Sequence, residues 1–322
     1  MSRLIAIGEI IVDFVSTEPV PYTRARTFEK CFGGAPMNTA VGVSRLGISA
    51  GVITAVGEDP FGDFLVGILR ENEVDVSNVK RKKERRTSIT FVANEPTTGE
   101  RTFLFYRRPW TGETADSSLE RGDIDPNYIS RAEVLHVSGF ALSQQPSRGA
   151  VFHAMRIARR SGVAVSFDPT LRSDVWDNEE ILRRTYRKAL ELSDIATFSK
   201  EEAQFVLGTA EPNKAASRAL KLGPRTVGIK LGAQGSFVNT AERRVIRKPA
   251  FSVKPVDTTG AGDGWNAGLL VGVCEGWDLE KSVTVANAVG ALVVTKRGAI
   301  TAMPYRAELN AFLKQAGVQL SI

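Results

Sequence analysis

Short apolar runs alternate along the chain with longer segments whose apolar residues recur at the spacing of an amphipathic helix. The short runs lie at residues 4–8, 51–56, 134–138, 163–167, 195–198, 226–231 and 236–239. Helical spacing is found at residues 35–46, 61–72, 147–161, 179–190, 200–207, 261–275, 279–296 and 306–315. Buried strands that alternate with helices indicate βαβ units and a mostly parallel sheet with helices on both faces. We therefore predict an α/β fold.

Between about residues 74 and 125 this alternation is interrupted by a segment that favours β-structure. Residues 87–94 and 101–106 are rich in β-branched and aromatic side chains, and residues 95–99 between them read Glu-Pro-Thr-Thr-Gly. Proline and glycine between two such runs predict a β-hairpin. We expect a small sheet that is set apart from the main one.

The composition is typical of a globular protein in a reducing compartment. The 322 residues are 43% hydrophobic and 24% charged, and 42 Lys and Arg against 36 Asp and Glu give a net charge of +6. This mild basic excess suits a nucleotide at least as well as a nucleic acid. No run reaches the roughly 18 apolar residues of a membrane span, and Cys31 and Cys274 carry no pairing signal. We expect a cytoplasmic protein that does not bind a membrane.

The residue inventory excludes several classes of enzyme. His136 and His153 are the only histidines, and neither lies in the HExxH or HRD pattern of metalloproteases and protein kinases. The histidines and cysteines are too far apart for a zinc site, and no Gly-Lys pair exists for a Walker-type phosphate loop. Residues 47–51 match the GxSxG pattern of serine hydrolases, but we expect them to follow a helix, whereas that pattern requires a preceding strand.

The most informative stretch is Asp-Thr-Thr-Gly-Ala-Gly-Asp-Gly at residues 257–264, which leads directly into an apolar helix. Gly260, Gly262 and Gly264 let backbone amides converge at the helix N-terminus, which is a ready anion site. Asp263 lies inside this turn, where the helix dipole favours its ionised form. A carboxylate beside an anion pocket can take a proton from a hydroxyl during phosphoryl transfer. The stretch therefore indicates phosphoryl transfer to an alcohol, and the alternative is a tightly packed helix N-terminus without catalytic function.

A second glycine cluster lies at the start of another predicted helix. Gly33 and Gly34 allow the backbone to approach a ligand closely, and Asn38 offers both hydrogen-bond donors and acceptors. Ligands that are rich in hydroxyl groups need hydrogen bonds in both directions. The cluster indicates a polyol site, and the alternative is a glycine loop followed by a structural asparagine.

Together, residues 33–38 and 257–264 resemble the two signature segments of the ribokinase-like family, the phosphofructokinase-B-type carbohydrate kinases. The order of elements and the inserted sheet also fit, so the resemblance covers residues 1–322. It implies a single three-layer α/β/α domain with a central, mostly parallel sheet and a small β-sheet lid, contributed mainly by about residues 10–32 and 85–108. It also implies transfer of the γ-phosphate of ATP to a sugar hydroxyl, with Mg²⁺.

The resemblance assigns roles to individual residues around the sugar. Asp263 matches the catalytic base of the family, and the backbone of Gly260, Ala261 and Gly262 matches its anion hole. The substrate-binding positions are Asp13, Gly33, Gly34, Asn38, Arg107 and Arg172. The alternatives are a turn-capping aspartate at the first of these positions and a surface ion pair at the last.

The nucleotide site is implied in the same way. The matching positions are Ser199, Lys230, Gly232, Gly235, Gly262 and Asn287, together with the pair Gly298 and Ala299, which usually lies around the adenine in the family. Taken alone, residues 230–235 also fit an ordinary tight hairpin. Asp257 and Thr259 match positions near a monovalent cation such as K⁺.

Two departures from the family pattern concern the metal and phosphate contacts. Where the family often has Asn-x-x-Glu, this chain has Ser199 and Glu202. Glu202 keeps the acid that usually reaches Mg²⁺ through water, whereas Ser199 replaces the asparagine. Thr170 also stands where asparagine is commoner, and Arg172 still fits a clamp for ligand or phosphate charge.

Residues 80–86 form a charged run that invites a nucleic-acid interpretation. They read Lys-Arg-Lys-Lys-Glu-Arg-Arg, with no interleaved aromatic residues that could stack on bases. We therefore expect a solvated loop here and no nucleic-acid partner.

The identity of the sugar rests on fewer residues. Residues 165–169, Trp176 and the serine at 199 resemble fructokinases more than ribokinases or adenosine kinases, which favours fructose phosphorylated at its 6-hydroxyl. The closest rival is 2-keto-3-deoxygluconate kinase, whose Tyr-Tyr-Arg run is matched here by Phe-Tyr-Arg at residues 105–107. Nucleosides, other sugars and a sugar-binding protein without catalysis are the further alternatives. A homodimer through the lid is compatible with the resemblance.

Overall fold

Strands and helices alternate through most of the chain, as the apolar pattern predicts. The structure, a computed structural model, describes residues 1–18, 20–94, 101–320 and 322. Its strands are β1 Leu4–Ile7, β2 Ile11–Ser16, β3 Phe28–Gly33, β4 Ala50–Gly57, β5 Asp75–Lys82, β6 Ser88–Asn94, β7 Arg101–Phe105, β8 Val134–Ser138, β9 Ala164–Asp168, β10 Ile195–Ser199, β11 Thr226–Lys230, β12 Ser236–Thr240 and β13 Val245–Lys248. Its α-helices are α1 Ala35–Arg45, α2 Pro60–Glu71, α3 Pro126–Ile129, α4 Ser147–Arg160, α5 Glu179–Glu191, α6 Lys200–Leu207, α7 Pro212–Leu220, α8 Ala261–Cys274, α9 Leu279–Val293, α10 Ala299–Ala302 and α11 Arg306–Gln315. None of the helices in these ranges is long and apolar enough to cross a membrane.

The larger sheet has the strand order β13-β12-β11-β10-β9-β8-β1-β4-β5. Neighbouring strands are parallel except in the β11–β12 and β12–β13 pairs. The chain continues from β1 to β4 and β5 on one side, and later builds outward from β8 on the other. The strand order therefore reverses between β1 and β8. Ligands of such sheets bind beyond the carboxyl ends of the strands at this switch point.

Apolar side chains on the two faces of this sheet form two cores. On β1, Ile5 and Ile7 belong to a core that includes residues of α4, α5, α6 and α7. Leu4 and Ala6 belong to the other core, with residues of α1, α2, α8 and α9. Because helices cover both faces, β1 and β4 are buried along their whole length. The predicted three-layer α/β/α fold is confirmed.

A small sheet with the order β3-β2-β6-β7 stands apart from the large one. β2 pairs antiparallel with β3 and parallel with β6, and β6 pairs antiparallel with β7. β2 follows β1 after a short turn, and β3 leads directly into α1. Both connections lie at the carboxyl end of β1, so the small sheet arises next to the switch point. The predicted hairpin turn at residues 95–99 lies outside the described residues.

The apolar pattern does not predict β5, β13 or α7. β5 and β13 lie at the two edges of the large sheet and are rich in charged residues, so their sequences resemble those of loops. α7 buries only alanines and therefore lacks a stripe of large apolar residues. α9 ends at Val293, before the predicted end at residue 296. Each of these differences between prediction and structure concerns a segment with few large apolar residues, whose structure depends on contacts with neighbouring elements.

The expected solvated loop at residues 80–86 is wrong for its first part, which belongs to the edge strand β5. Arg81 Nη1 pairs with Asp63 at 2.8 Å, and Lys82 Nζ pairs with Asp123 at 2.7 Å. Lysine and arginine on an edge strand discourage pairing with another chain. The charged run is therefore part of a sheet edge that is held by ion pairs.

The GxSxG match at residues 47–51 lies between the end of α1 and the start of β4. A nucleophile elbow requires the opposite order, in which a strand precedes the serine and a helix follows it. The expectation that this match is not a hydrolase motif is confirmed.

Candidate active site

Asp263 lies in the first turn of α8, which begins after a left-handed glycine. Gly260 has φ 76°, and a Cβ at this position would lie 2.7 Å from the Cβ of Ala299. Both facts favour glycine here. Amides at the start of a helix lack intrahelical acceptors and can bind an anion. Because the amide of Ala261 already donates to the carbonyl of Thr258 at 3.2 Å, the predicted anion hole would rest on the amides that follow it.

Asn38 joins this turn to the predicted sugar loop. The loop ends β3 at Gly33 and continues through Gly34 into α1. Asn38 Nδ2 donates to Asp263 Oδ2 at 2.8 Å, across a sequence separation of 225 residues. Asn38 Oδ1 is buried and has no hydrogen-bond partner among the described residues. The two signature segments therefore meet at the predicted catalytic carboxylate.

Asp13 lies on β2 beside Gly33 of the paired strand β3. A Cβ on Gly33 would collide with the carboxylate of Asp13. The absence of a side chain at residue 33 therefore makes room for this acid. Through the sugar loop, Asp13, Gly33, Asn38 and Asp263 form a continuous series of neighbours.

The carboxyl of Asp263 is enclosed, although the residue as a whole is only half-buried. Burial raises its pKa to about 6, and the negative charge of Asp168 acts in the same direction. The hydrogen bond from Asn38 and the charges of Lys230 and Arg172 oppose this rise. The helix dipole favours the ionised form, as expected, but the pKa of Asp263 still lies above its ordinary value because burial has the larger effect. A general base works best when its pKa lies near the working pH.

This pKa predicts an acidic limb near pH 6 in the pH profile of kcat/KM for the sugar, with activity rising as Asp263 loses its proton. Asn38→Leu removes a hydrogen bond that favours the ionised form, so the limb is expected to move to higher pH. Asn38→Leu also removes a predicted sugar contact, but that loss would lower kcat/KM at every pH and would not move the limb. Thr39→Val is the matched control, because Thr39 Oγ1 contacts the backbone oxygen of Asp263 at 3.4 Å. An unmoved limb in Asn38→Leu would contradict the assignment.

Asp168, at the carboxyl end of β9, is a functional candidate that the sequence reasoning missed. Its Oδ2 accepts hydrogen bonds from Lys230 Nζ at 2.5 Å, from Asn266 Nδ2 at 2.7 Å and from Thr197 Oγ1 at 3.1 Å. Its Oδ1 accepts from the amide of Thr170 at 2.9 Å. Burial alone would raise its pKa, but the Lys230 ammonium and these donors hold the pKa well below its ordinary value. The available signal was an acid directly after an apolar strand.

Lys230 ends β11 and lies beside the first turn of α8. A Cβ on Gly262 would lie 3.3 Å from Lys230 Nζ. Burial works against its charge, but Asp168 and Glu202 outweigh burial and raise the pKa of Lys230 above its ordinary value. The ammonium is therefore charged at neutral pH and is placed to attract phosphate.

The predicted nucleotide hairpin follows Lys230. The amide of Leu231 donates to the carbonyl of Gly235 at 2.8 Å, which closes the turn. A Cβ on Gly235 would collide with the backbone at Lys248, whereas a Cβ on Gly232 would meet nothing within 4 Å. Gly235 is therefore needed for the hairpin to pack, and Gly232 leaves open space at its tip.

Ser199 and Glu202 cap α6 reciprocally. Ser199 Oγ accepts from the amide of Glu202 at 3.1 Å, and Glu202 Oε2 accepts from the amide of Ser199 at 2.7 Å. Glu202 Oε1 accepts from the amide of Leu171 at 3.0 Å. Burial raises the pKa of Glu202, and the charge of Asp168 adds to the rise. Ser199 therefore has a local capping role, and its predicted nucleotide contact stays a prediction.

The donor set fits Mg²⁺ only in a water-mediated arrangement. Each oxygen of Glu202 already accepts one backbone hydrogen bond, which leaves a further lone pair on each for a water. In the part of the chain that the structure describes, no group of three or more His, Cys, Asp or Glu residues could hold a metal ion. Mg²⁺ commonly keeps several waters and binds through one or two carboxylates and the substrate phosphates. Glu202 is compatible with that mode.

Asn287 is buried, and each polar atom of its side chain has a protein partner. Its Oδ1 accepts from Ser236 Oγ and from Trp265 Nε1, each at 2.8 Å. Its Nδ2 donates to the carbonyls of Lys248 at 3.3 Å and Pro249 at 2.9 Å. The side chain thus fixes α9 against α8 and β12. Its predicted position beside adenine stays a prediction.

The predicted monovalent-cation position is organised around Asp257. Its two oxygens accept hydrogen bonds from the amides of Thr259 at 2.9 Å and Gly298 at 2.8 Å. Thr259 Oγ1 is buried and has no hydrogen-bond partner among the described residues. A carboxylate beside an unpartnered hydroxyl suits a cation that prefers oxygen ligands.

The two predicted arginine contacts differ in their surroundings. The Arg107 side chain is 1% exposed, pairs with Asp116 at 2.9 Å and lies over the ring of Phe140 at 4.5 Å. Its charge is therefore already compensated. The Arg172 guanidinium lies over the ring of Phe103 in β7 at 4.7 Å and forms no ion pair with a described carboxylate. The surface ion pair considered for Arg172 is not observed among the described residues.

Comparison with known proteins identifies the family. The model of the pfkB family of carbohydrate kinases matches residues 1–306. The chain belongs to this family. It is 38% identical over 316 residues to a fructokinase of Klebsiella pneumoniae, covering 96% of this chain and 98% of that protein. It is 36% identical over 317 residues to a fructokinase of Escherichia coli, with coverages of 96% and 98%.

A solved fructokinase structure from Vibrio cholerae O395, with fructose, ADP and calcium bound, superposes on this pfkB kinase with a TM-score of 0.87. The two sequences are 35% identical, and the match covers 97% of this chain and 99% of that one. The predicted family and the predicted activity, that of an ATP-dependent sugar kinase, are thereby confirmed. The roles of individual residues stay predictions.

Proposed function

We propose that this kinase phosphorylates fructose at its 6-hydroxyl. The single observation that carries phosphoryl transfer to a sugar hydroxyl at this site is the 2.8 Å contact between Asn38 and Asp263, which joins the proposed sugar loop to the proposed base. The fructokinases at 36–38% identity support the choice of sugar, as does the similar structure that contains fructose and ADP.

In the proposed mechanism, Asp13 and the loop at Gly33, Gly34 and Asn38 hold the sugar hydroxyls. Asp263 accepts the proton of the attacking hydroxyl as the new bond to the γ-phosphorus of ATP forms. The amides at the start of α8 stabilise the charge that develops on the transferred phosphoryl group. The bond to the leaving ADP breaks, and the proton stays on the carboxyl until the product departs.

The proposed nucleotide contacts come from elements other than the sugar loop. Lys230, held by Asp168, attracts the phosphates, and the tip of the hairpin at Gly232 leaves space for the nucleotide. Glu202 would hold Mg²⁺ through water, and the metal would neutralise phosphate charge. Ser199, Gly235, Asn287 and the K⁺ position at Asp257 and Thr259 complete the proposed site.

We also propose that residues 1–322 act as one domain in which the small sheet is a lid over the sugar. A lid excludes water and keeps the hydrolysis of ATP slow in the absence of sugar. Leu104 and Tyr106, each 45% exposed, give this lid apolar surface for a homodimer. A cytoplasmic location is part of the same proposal.

A coupled ADP-release assay over a panel of substrates tests the proposal. The panel contains fructose, ribose, tagatose, 2-keto-3-deoxygluconate and nucleosides, each with and without Mg²⁺. We expect the highest kcat/KM with fructose, and slow ADP release without sugar. Highest turnover with another substrate would overturn the choice of fructose, and no sugar-dependent ADP release at all would indicate a binding protein without catalysis.

The keto-acid sugar is a second candidate because of Arg172. This guanidinium forms no ion pair with a described carboxylate, so it could meet an acidic substrate. Arg107 argues against this candidate, because Asp116 already compensates its charge. Arg172→Gln should leave the KM for fructose within about threefold if fructose is the substrate, since a neutral sugar needs no countercharge, whereas kcat is expected to fall at low pH because Arg172 helps to keep Asp263 ionised. A much larger rise in the KM for the keto-acid sugar, with the KM for fructose unchanged, would support the alternative.

A further inference from the structure

Glu9 is a buried acid that has no role in the proposed mechanism. It follows β1 at the switch point between β1 and β8, where a ligand site is expected. The residue is only 2% exposed. Glutamate is rarely buried without a partner, because burial of a charge is costly. Its position therefore needs an explanation.

Glu9 contacts the sugar loop and the start of α1. Its Oε1 accepts hydrogen bonds from the amide of Ala35 at 3.2 Å and from Ser138 Oγ at 3.0 Å. Its backbone carbonyl lies under the loop, since a Cβ on Gly34 would be 2.5 Å from it. The preceding residue, Gly8, packs against Pro36 in the same way, with 2.9 Å between its ideal Cβ and Pro36 Cγ. The turn after β1 thus supports the whole start of α1.

The carboxyl of Glu9 is also connected to the small sheet. Ser138 Oγ, which donates to Glu9, accepts from the amide of Phe140 at 3.2 Å. Arg107, just beyond β7, lies over the Phe140 ring and pairs with Asp116. A connected set of contacts therefore runs from the small sheet through Glu9 to the sugar loop.

Glu9 Oε2 is buried without a hydrogen-bond partner among the described residues. The charged groups that face it are Asp116 and Arg107. Burial raises the pKa of Glu9 to about 8; Asp116 adds to the rise, and Ser138 and Arg107 oppose it. A proton on Oε2 would leave Oε1 able to accept, so the hydrogen bonds from Ala35 and Ser138 can form in either protonation state of Glu9.

We propose that Glu9 is a positioning residue for the sugar: its Oε1 holds the amide of Ala35, so that Gly33, Gly34 and Asn38 keep the geometry that binds sugar hydroxyls. This proposal rests on the proposed sugar site. Glu9 does not touch the reacting atoms and is not a catalytic residue.

Kinetic constants of three variants test the proposal. Glu9→Ala is expected to raise the KM for the sugar roughly tenfold or more, the change expected when a buried donor loses its acceptor. The KM for ATP should change by less than about threefold, because the nucleotide site is built from other elements. Glu9→Gln keeps an oxygen acceptor and resembles the neutral acid, so it should stay within about threefold of the wild type. Ser138→Ala keeps the carboxyl but removes the hydrogen bond that orients Oε1, so it should weaken the bond to the Ala35 amide and have an intermediate effect.

Asp75→Asn is the matched control for a general loss of stability. Asp75 accepts from Tyr128 Oη at 2.8 Å at the start of β5, at the opposite end of the large sheet from Glu9. The melting temperature of Asp75→Asn is measured together with those of the Glu9 variants. A folded Glu9→Ala protein with an unchanged sugar KM would overturn the proposal, as would equal rises in both KM values or a Gln variant as impaired as the Ala variant.

Hydrogen exchange measured by mass spectrometry separates this proposal from the identity of the substrate. Glu9→Ala should speed exchange in residues 33–40, where the Ala35 amide loses its acceptor, and leave α9 unchanged. This readout needs no sugar, so it decides the role of Glu9 even if fructose proves not to be the substrate. If Glu9→Ala does not fold, Ser138→Ala and Glu9→Gln are compared in the same way. Unchanged exchange at 33–40 in folded Glu9→Ala, or in Ser138→Ala if Glu9→Ala does not fold, would overturn the proposal.

Discussion

Replacement of Asp263 by asparagine is expected to lower kcat by roughly 10²–10⁴-fold, the usual contribution of a positioned general base, while sugar affinity stays nearly intact. Asparagine has the same shape and can still accept the hydrogen bond from Asn38, but it cannot take up the proton of the attacking hydroxyl. Steady-state ADP release gives kcat, and equilibrium binding without ATP gives the sugar affinity.

Asp278→Asn serves as the control for this variant. Asp278 caps α9 on the surface and accepts from the amide of Lys281 at 2.9 Å, a role that asparagine also performs. Its kcat should equal that of the wild type. Turnover of Asp263→Asn within about threefold of the wild type would show that another group accepts the proton. The acidic limb near pH 6 should also be absent from the residual activity, because its source has been removed.

The second large effect is expected on stability. Asp168→Ala should lower the free energy of unfolding by about 3–5 kcal/mol, because it leaves the Lys230 ammonium buried without its partner. Asp168 is 5% exposed, and the ion pair spans 2.5 Å. The measurement is urea unfolding at pH 7 without ligands. Glu179→Ala breaks the exposed pair with Arg183, which is formed at 2.7 Å, and should cost less than about 1 kcal/mol.

The pH dependence of this effect follows from the two pKa directions. The pKa of Asp168 is lower in the folded chain than its ordinary value of 3.8, so its contribution is present above that value and is lost as the pH falls further. The pKa of Lys230 is raised above 10.5, so its contribution is present below that value and is lost as the pH rises. The difference between wild type and variant should therefore be constant at neutral pH and shrink below about pH 4.

A double variant checks that the cost comes from the unpaired charge. Lys230→Met combined with Asp168→Ala removes both charges, so its loss of stability should be smaller than the sum of the two single losses. Additive losses would mean that the two residues do not interact as the ion pair predicts.

The sequence alone was sufficient for the parts of the fold that depend on local pattern. Short apolar runs located the strands β1 and β4, and helical spacings located α1 and α8, within a few residues, because those elements are buried enough to carry an apolar signal. Edge elements such as β5 carry no such signal. Their structure depends on hydrogen bonds to a neighbouring strand that is distant in the chain, and the charged residues on β5 are typical of a sheet edge.

The candidate site shows the same division. Asp263, Gly33, Gly34 and Asn38 could be found from the sequence, because glycines beside a polar residue at a helix start have few other uses. Asp168 and Glu9 could not, since each is a single acid after a strand. Their importance depends on Lys230, 62 residues away from Asp168, and on Ser138, 129 residues away from Glu9.

For this protein, residue types and spacing predicted the fold class, and the resemblance of two short segments to family motifs predicted the kinase family and the position of the proposed base. Only the tertiary structure decided which acids are paired, which are buried and how strongly each holds its proton. The physical reason is that ionisation depends on solvent exclusion and on charges within a few ångströms, and these distances are set by how the strands of the large sheet are ordered. The pKa of Asp263 near 6 is the clearest case, because the helix dipole alone suggests the opposite shift.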